Sequence, residues 1–183
     1  MDIQGIKEES KESIKFFLYF ELLISVLILD GCITITREVD EFQEWFRKKW
    51  REPGEKMVRS PEETAEIYSC QSYRGNKLIL VDVEVLPTKV SPGEEIDQRV
   101  RYAFCPYTPS GTIKGKIVRT ILFKGEKIVE RDTNYEFKPG TWTVDVFIVI
   151  PYSALYGVYA LDVVLTYGQE TIRRGDTFIV KSR

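Results

Sequence analysis

From Lys77 onward the chain keeps a period of two, and that alternation constrains its fold more than any other feature. In "EIDQRVRYAF", Ile96, Gln98, Val100, Tyr102 and Phe104 share one face and Asp97, Arg99 and Arg101 the other, the pattern of a strand with one buried side. The same grammar runs through "KLILVDVEV", "IKGKIVRTILF", "KIVER", "WTVDVFIVI", "YGVYALDVVLTYG" and "DTFIVK", separated by turns such as "SPGE", "KGE" and "KPGT". Seven strands across residues 77–183 predict a mainly β domain of two packed sheets. "VFIVI", Val146 to Ile150, is apolar at consecutive positions, so both its faces are expected to be covered, by upstream helices or by a partner protein.

Upstream, residues 32–76 read as a helical connecting region. Val39, Phe42, Phe46 and Trp50 recur at steps of three and four, and Trp45 widens the stripe. "EPGE", Glu52 to Glu55, is expected to stop this helix. A second, short helix is expected at "SPEE", with Ser60 as N-cap, Pro61 at the first position and Glu63 closing a capping box. Phe42, Trp45, Phe46 and Trp50 form a candidate interface, docked on the neighbouring domain or lying in a membrane surface beside Arg47, Lys48, Lys49 and Arg51.

Residues 1–31 read as a signal peptide or membrane anchor. A polar leader of mixed charge precedes "FFLYFELLISVLIL", Phe16 to Leu29, whose length suits the apolar region of an export signal better than a full membrane span. An uncleaved anchor and a buried strand remain the other readings, with Glu21 a cost to both. The next residues, Leu29-Asp30-Gly31-Cys32, resemble the lipobox of bacterial lipoproteins: Leu29, Gly31 and Cys32 fit, and Asp30 stands where small or aliphatic residues are usual. The resemblance implies cleavage before Cys32 and acylation of its thiol and new amine. Ile33 follows the cysteine in place of the aspartate associated with inner-membrane retention, which implies outer-membrane placement.

The chain holds three cysteines, Cys32, Cys70 and Cys105, with no C-x-x-C spacing. If lipid consumes Cys32, an even pair remains in an oxidising compartment. Cys70 precedes the first strand and Cys105 ends the second. An antiparallel pairing of these strands would bring both sulfurs to one end of the domain. Export makes a Cys70–Cys105 disulfide the expectation, with two buried free thiols as the alternative.

The run "PYSALYGVYALDVVLTYG" resembles the late strands of bacterial immunoglobulin-like domains, in which a G-x-Y-x-L-x-V segment is common; here it reads Gly157, Tyr159, Leu161, Val163. The resemblance covers residues 77–181 and implies a seven-strand immunoglobulin-like sandwich, with Tyr159 as a corner tyrosine at the start of the sixth strand. It implies little about function, because this architecture hosts many roles.

The sequence excludes more chemistry than it offers. Histidine is absent, which removes His-based triads, general bases and metal ligands. A net charge of −2 gives no argument for nucleic acid. "GTIKGK", Gly111 to Lys116, lacks the spacing and hydroxyl of a phosphate loop and reads as a loop entering a strand. Asp82 and Glu84 read as a solvated strand face, and Arg173-Arg174 beside Gly175-Asp176 as a charged hairpin tip. No cofactor or metal site is expected. The expectation is an extracytoplasmic, membrane-anchored lipoprotein of the bacterial envelope that binds a protein partner or plays a structural role and is not an enzyme. The alternatives are an accessory subunit of a membrane complex held by an uncleaved transmembrane helix and, behind it, an enzyme of unrecognised type.

Overall fold

A computed structural model describes residues 44, 50–108 and 111–182; the readings of the export signal, Cys32, Phe42, Trp45 and Phe46 lie outside them. The described chain is mainly β. One sheet has four strands in the order β1 (Trp50–Arg59), β7 (Gly140–Val149), β4 (Glu95–Cys105), β2 (Lys77–Leu86). The other has five, in the order β3 (Lys89–Val90), β9 (Glu170–Val180), β8 (Gly157–Tyr167), β5 (Ile113–Phe123), β6 (Glu126–Phe137). A helix α1 (Pro61–Ile67) and a single 3-10 turn (Cys70–Ser72) precede β2.

Alternation explains the packing. Ile96, Gln98, Val100, Tyr102 and Phe104 of β4 are all buried, and the apolar members meet Ile117 and Ile121 of β5 and Leu161, Val163 and Leu165 of β8 in one core. Each large aliphatic buried this way contributes about 1.5–3 kcal/mol. On the outer face, one guanidinium gathers three strands: Arg99 of β4 lies 2.9 Å from the Asp97 carboxylate, 3.1 Å from Asp145 of β7 and 3.8 Å from Glu84 of β2. Burial, and then the like charge of Asp145, raise the Asp97 carboxyl above its ordinary range despite Arg99. Asp82 and Glu84 are therefore paired members of a charged lattice, Asp82 with Arg174 at 4.0 Å and Glu84 with Arg99.

Two elements depart from the sequence reading. Trp50 and "EPGE" do not end a helix; residues 50–59 form β1, antiparallel to β7 with Trp50 opposite Ile148 and Arg59 opposite Thr141. The register slips between Arg51 and Gly54, where Gly54 takes φ +116°. A proline and a positive-φ glycine stop a helix, but an edge strand absorbs both in a bulge, because its outer N–H groups need no partner. The sheet thus begins ahead of residue 77, inside the region read as helical. β3 is the second addition: the β2–β4 connection is more than a hairpin loop, since Lys89 and Val90 cross to pair in parallel with Ile179 and Val180 of β9.

Helix α1 follows its sequence signals. The Ser60 hydroxyl accepts from the Glu63 N–H at 3.2 Å and the Glu63 carboxylate accepts from the Ser60 N–H at 2.8 Å, with Pro61 at the first position. Fully buried Thr64 meets Thr141 of β7 at 2.9 Å between hydroxyls, which docks the helix on the sheet. Within "VFIVI", Val146 and Ile148 are buried inward while Phe147 and Val149 are half-buried on the outer face. Arg51 of β1 covers Phe147, its guanidinium 5.2 Å from the ring centre. Among the described residues, then, that face is covered by β1 at Phe147 and by α1 at Thr141.

Tyr159 sits at the start of β8 and donates its hydroxyl to the Leu155 carbonyl at 3.0 Å. Its ring packs 4.6 Å from Phe123 and 5.3 Å from Phe178, centre to centre. Burial pushes its hydroxyl up to about 12. This bond closes the β7–β8 corner.

Candidate functional site: an open flank of the sandwich

The two flanks of the sandwich differ. On one, β2 and β9 are stitched together by side chains: the Val85 N–H donates to the Asp176 carboxylate at 2.8 Å, and Arg174 donates to the Val81 carbonyl. The Ile179 N–H donates to the Thr88 carbonyl at 2.9 Å and the Lys181 N–H to the Val90 carbonyl at 2.9 Å. Arg173 to Asp176 is therefore not a hairpin tip. The tip lies at Gly168, with φ +55°, and the four residues run inside β9. They carry no apolar alternation because β3 pairs only with the end of β9, at Ile179 and Val180, and along Arg174 to Asp176 the side chains cross to β2 instead.

The other flank, between the edges of β1 and β6, holds a cleft of about 320 Å³. Its lining includes Glu55 of β1, Arg119 of β5, Thr133 and Tyr135 of β6, Lys138, and Val144 of β7. The β5–β6 register sets the inner face, with Arg119 opposite Arg131, Ile117 opposite Thr133 and Gly115 opposite Tyr135. A glycine is required at 115, since a Cβ there would stand 2.1 Å from the Thr166 carbonyl oxygen. The glycine of the "GTIKGK" stretch thus serves sheet packing. Arg119 is 2% exposed, a guanidinium at core depth.

A wall of aromatic rings fixes the mouth. Tyr102 and Phe137 meet edge-on at 5.1 Å, Tyr135 and Phe137 at 5.0 Å, and the Tyr102 and Tyr135 hydroxyls lie 3.5 Å apart. The Lys138 N–H donates to the Tyr102 hydroxyl at 3.2 Å. The Tyr135 hydroxyl and the Lys138 ammonium both donate to the Glu55 carboxylate, so β1 closes the cleft with its own acid. Burial, and then Tyr102, push the Tyr135 hydroxyl far up, and Arg119 opposes this only in part. Burial raises Tyr102 as well. Both phenols are held as neutral hydrogen-bonding groups, an arrangement for holding a polar group in place; neither is tuned to exchange protons near neutral pH.

At the α1 end, Cys70 and Cys105 form a disulfide, Cα atoms 5.3 Å apart and 35 residues apart in sequence. The antiparallel register explains the meeting, because Lys77 lies opposite Cys105. A second hollow of about 450 Å³ lies beside it, lined by Pro61, Ala65, Cys70, Tyr73, Phe104 and Tyr107 among others.

Of the residues singled out in the sequence, Cys70 and Cys105 come together here. Trp50 lies in a strand, and Cys32, Phe42, Trp45 and Phe46 lie outside the described residues. The cleft residues Glu55, Arg119, Tyr135 and Lys138 were not singled out. One signal was present: Arg119 falls in phase with Ile117, Ile121 and Phe123, a charge on the apolar side of a strand. Among the described residues there is no cluster of three Cys, Asp or Glu placed to hold a metal, and no helix is long and apolar enough to cross a membrane.

No protein-family model and no curated protein matches the sequence. Among solved structures, the chain is similar to the sporulation control protein Spo0M of Bacillus subtilis, at 12% identity and a TM-score of 0.38, over 61% of this chain and 51% of that one. It is also similar to a family 123 glycoside hydrolase of Clostridium perfringens, at 10% identity and a TM-score of 0.39, over 60% and 27%. A third is the CARDB domain of the PF1109 protein of Pyrococcus furiosus, solved in complex with di-metal ions, at 13% identity and a TM-score of 0.45, over 60% and 96%. The chain thus spans about half of the first of these proteins and about a quarter of the second. At such identities and scores the likenesses transfer no role to any residue.

Proposed function

We propose that this chain is an extracytoplasmic lipoprotein of the bacterial cell envelope, acylated at Cys32 and held at the outer membrane, whose immunoglobulin-like sandwich binds a protein partner and catalyses no reaction. The binding role is carried by the difference between the flanks: one is stitched shut, and the other keeps a cleft with a charged floor and a rigid aromatic wall. The cleft sets Glu55, Arg119, Glu136, Lys138 and Asp145 about Ile117 and Val144, and a concave site with a few placed polar groups is the usual form of a recognition site. The fitting partner is a segment that offers a carboxylate to Lys138 and Tyr135 in place of Glu55.

The immunoglobulin-like reading is supported by strand order. β2, β4 and β7 lie side by side where strands A, B and E of that architecture do, and β5, β8 and β9 where C, F and G do. β1 then stands where a fourth strand, D, would be. Tyr159 bonding back to Leu155 is the corner expected at the start of strand F. Export is supported by the Cys70–Cys105 disulfide, which leaves Cys32 as the remaining thiol of three.

Two experiments test the reading. Metabolic labelling with a fatty-acid analogue should mark the wild type and not Cys32→Ser; an unlabelled wild-type protein retaining residues 1–31 would favour the uncleaved-anchor subunit instead. Affinity capture from solubilised membranes should retain a stoichiometric partner that is lost with Lys138→Glu. Identical capture by both proteins would remove the cleft from the account.

A further inference from the structure

The hollow of about 450 Å³ beside the disulfide stands on fixed backbone and is lined by two tyrosines the fold leaves unused. Tyr107 is 74% exposed and Tyr73 38%. The Tyr73 N–H donates to the Cys70 carbonyl at 3.2 Å, and the Tyr107 N–H to the Asn76 side-chain carbonyl at 2.8 Å. The Cys70–Cys105 bond joins the two segments that carry them. Among the described residues, neither ring packs on another aromatic ring or meets a cation. The buried rings of Tyr102 and Tyr159 both pack on neighbouring rings. Pro61, Ala65, Phe104 and Pro106 supply the apolar part of the lining, and Glu62 and Gln71 the polar part. Rigid aromatic groups in a hollow, with a few polar groups beside them, are the parts of a binding site.

Charge selects the ligand. Helix α1 reads PEETAEI, three acids and no base. Glu62 and Ala65, three residues apart, line the hollow, and Glu66 follows Glu62 by one turn. Like charges four residues apart on a helix repel, and neither carboxylate forms an ion pair among the described residues. Hydrogen bonds from its own backbone and from the Ser60 hydroxyl hold the Glu62 carboxyl below its ordinary range, so it is ionised at neutral pH. The basic groups at this end are Arg59, Arg74, Lys77, Lys114 and Lys138, and none of them lines the hollow. Lys77 pairs with Glu170 at 3.6 Å and Lys138 with Glu55. Of the remaining acids, Glu63 caps α1 and Glu136 accepts from Thr112. The lining therefore presents a carboxylate and two ring faces with no cation to answer them.

We infer that this hollow receives a lysine or arginine side chain from a segment of a partner protein, its charged head on the Tyr73 and Tyr107 rings beside Glu62 and its stem on Pro61, Ala65 and Pro106. The negative face of a tyrosine ring attracts a cation, and Glu62 supplies the opposite charge. The alkyl stem covers apolar surface that a bare ion would leave wet. A volume far above the ~30 Å³ share of one water molecule admits the stem and its flanking backbone as well as the head. An anionic group would meet Glu62 and find no cation in the lining. The site is separate from the flank cleft, so its failure would leave the binding role proposed for that cleft standing.

Titration of the isotope-labelled full chain, in mild non-ionic detergent, with acetylated tetralysine amide tests this by amide NMR. The Gln71, Tyr73 and Tyr107 signals should shift and saturate, and the affinity should fall in high salt. Tyr107→Ala should weaken binding about two- to fivefold, whereas Tyr107→Phe, which keeps the ring face, should bind as the wild type does. Glu62→Gln should weaken binding and reduce its salt dependence. Both side chains are exposed, so signals elsewhere should not move in these variants, which separates lost binding from lost folding. Shifts absent at the three residues, or an affinity unchanged in Tyr107→Ala and Glu62→Gln, would overturn the inference. Equal binding of acetylated tetraglutamate amide would overturn it too. Spermidine bound as tightly as tetralysine would replace the protein segment with a free polyamine. Chitotetraose shifting the same signals, with no response to tetralysine, would assign the hollow to a glycan instead.

Discussion

Replacing Tyr159 by phenylalanine isolates one hydroxyl and tests how the β7–β8 corner is held. The ring contacts with Phe123 and Phe178 survive, and the bond to the Leu155 carbonyl, 3.0 Å long, is lost. Tyr159 is 3% exposed, so the loss combines a hydrogen bond with a carbonyl left poorly solvated, about 1–2 kcal/mol. In urea unfolding under non-reducing conditions, the midpoint should fall at unchanged slope. A second signature lies in alkali. The folded-state value of this hydroxyl, about 12, stands above its ordinary 10.0. The folded state thus holds the proton more tightly than the unfolded chain does. The stability this contributes is fully present below pH 10 and is lost as pH rises towards 12, to the extent of about 2–3 kcal/mol. A phenylalanine ring has no proton to lose, so the stability of Tyr159→Phe should fall less steeply across that window, the remainder belonging to Tyr102, Tyr135 and Tyr167. An unchanged midpoint together with a wild-type alkaline slope would show that Tyr159 does not hold the corner.

Other perturbations read other parts of the fold. Gln98 is fully buried on β4 and neither atom of its amide has a partner among the described residues, so Gln98→Leu should raise stability by about 1–2 kcal/mol; a loss in calorimetry would mean the amide is satisfied. Converting Cys70 and Cys105 together to alanine opens a 35-residue loop and should cost about 3–4 kcal/mol in urea unfolding, whereas a cost below about 1 kcal/mol would mean the bond constrains little. Glu55→Gln removes the charge that meets Lys138 and should speed amide exchange along β1 while leaving β8 unaffected; unchanged exchange in β1 would show that the strand does not depend on that contact.

Much of the fold was legible in the sequence, because alternation and turn chemistry act locally. β2, β4 to β8 and the C-terminal half of β9 all carry recognisable runs, and the Ser60–Glu63 box marks α1. What was not legible has a common cause. β1 and β3 are edge elements whose pairing is decided by the sheet they join, so Pro53 and Gly54 looked like a helix stop when an edge bulge could take them. The same holds for Arg174 and Asp176, whose partners Val81 and Val85 are distant in sequence. The cleft was hidden for a related reason. Glu55, Arg119, Tyr135 and Lys138 come from three strands and a turn, and only the register of β5 on β6 and of β1 on β7 brings them together. Arg119 in an apolar phase was the one local hint.

An intact mass of the native protein, extracted from membranes without reductant, tests the proposed acylation of Cys32 and the Cys70–Cys105 disulfide at once. The expected mass is that of a chain that begins at Cys32, carries a diacylglycerol and an acyl group, and gains one pair of hydrogens on reduction as Cys70 and Cys105 separate. A mass that includes residues 1–31 with no lipid, unchanged by reductant, would contradict it.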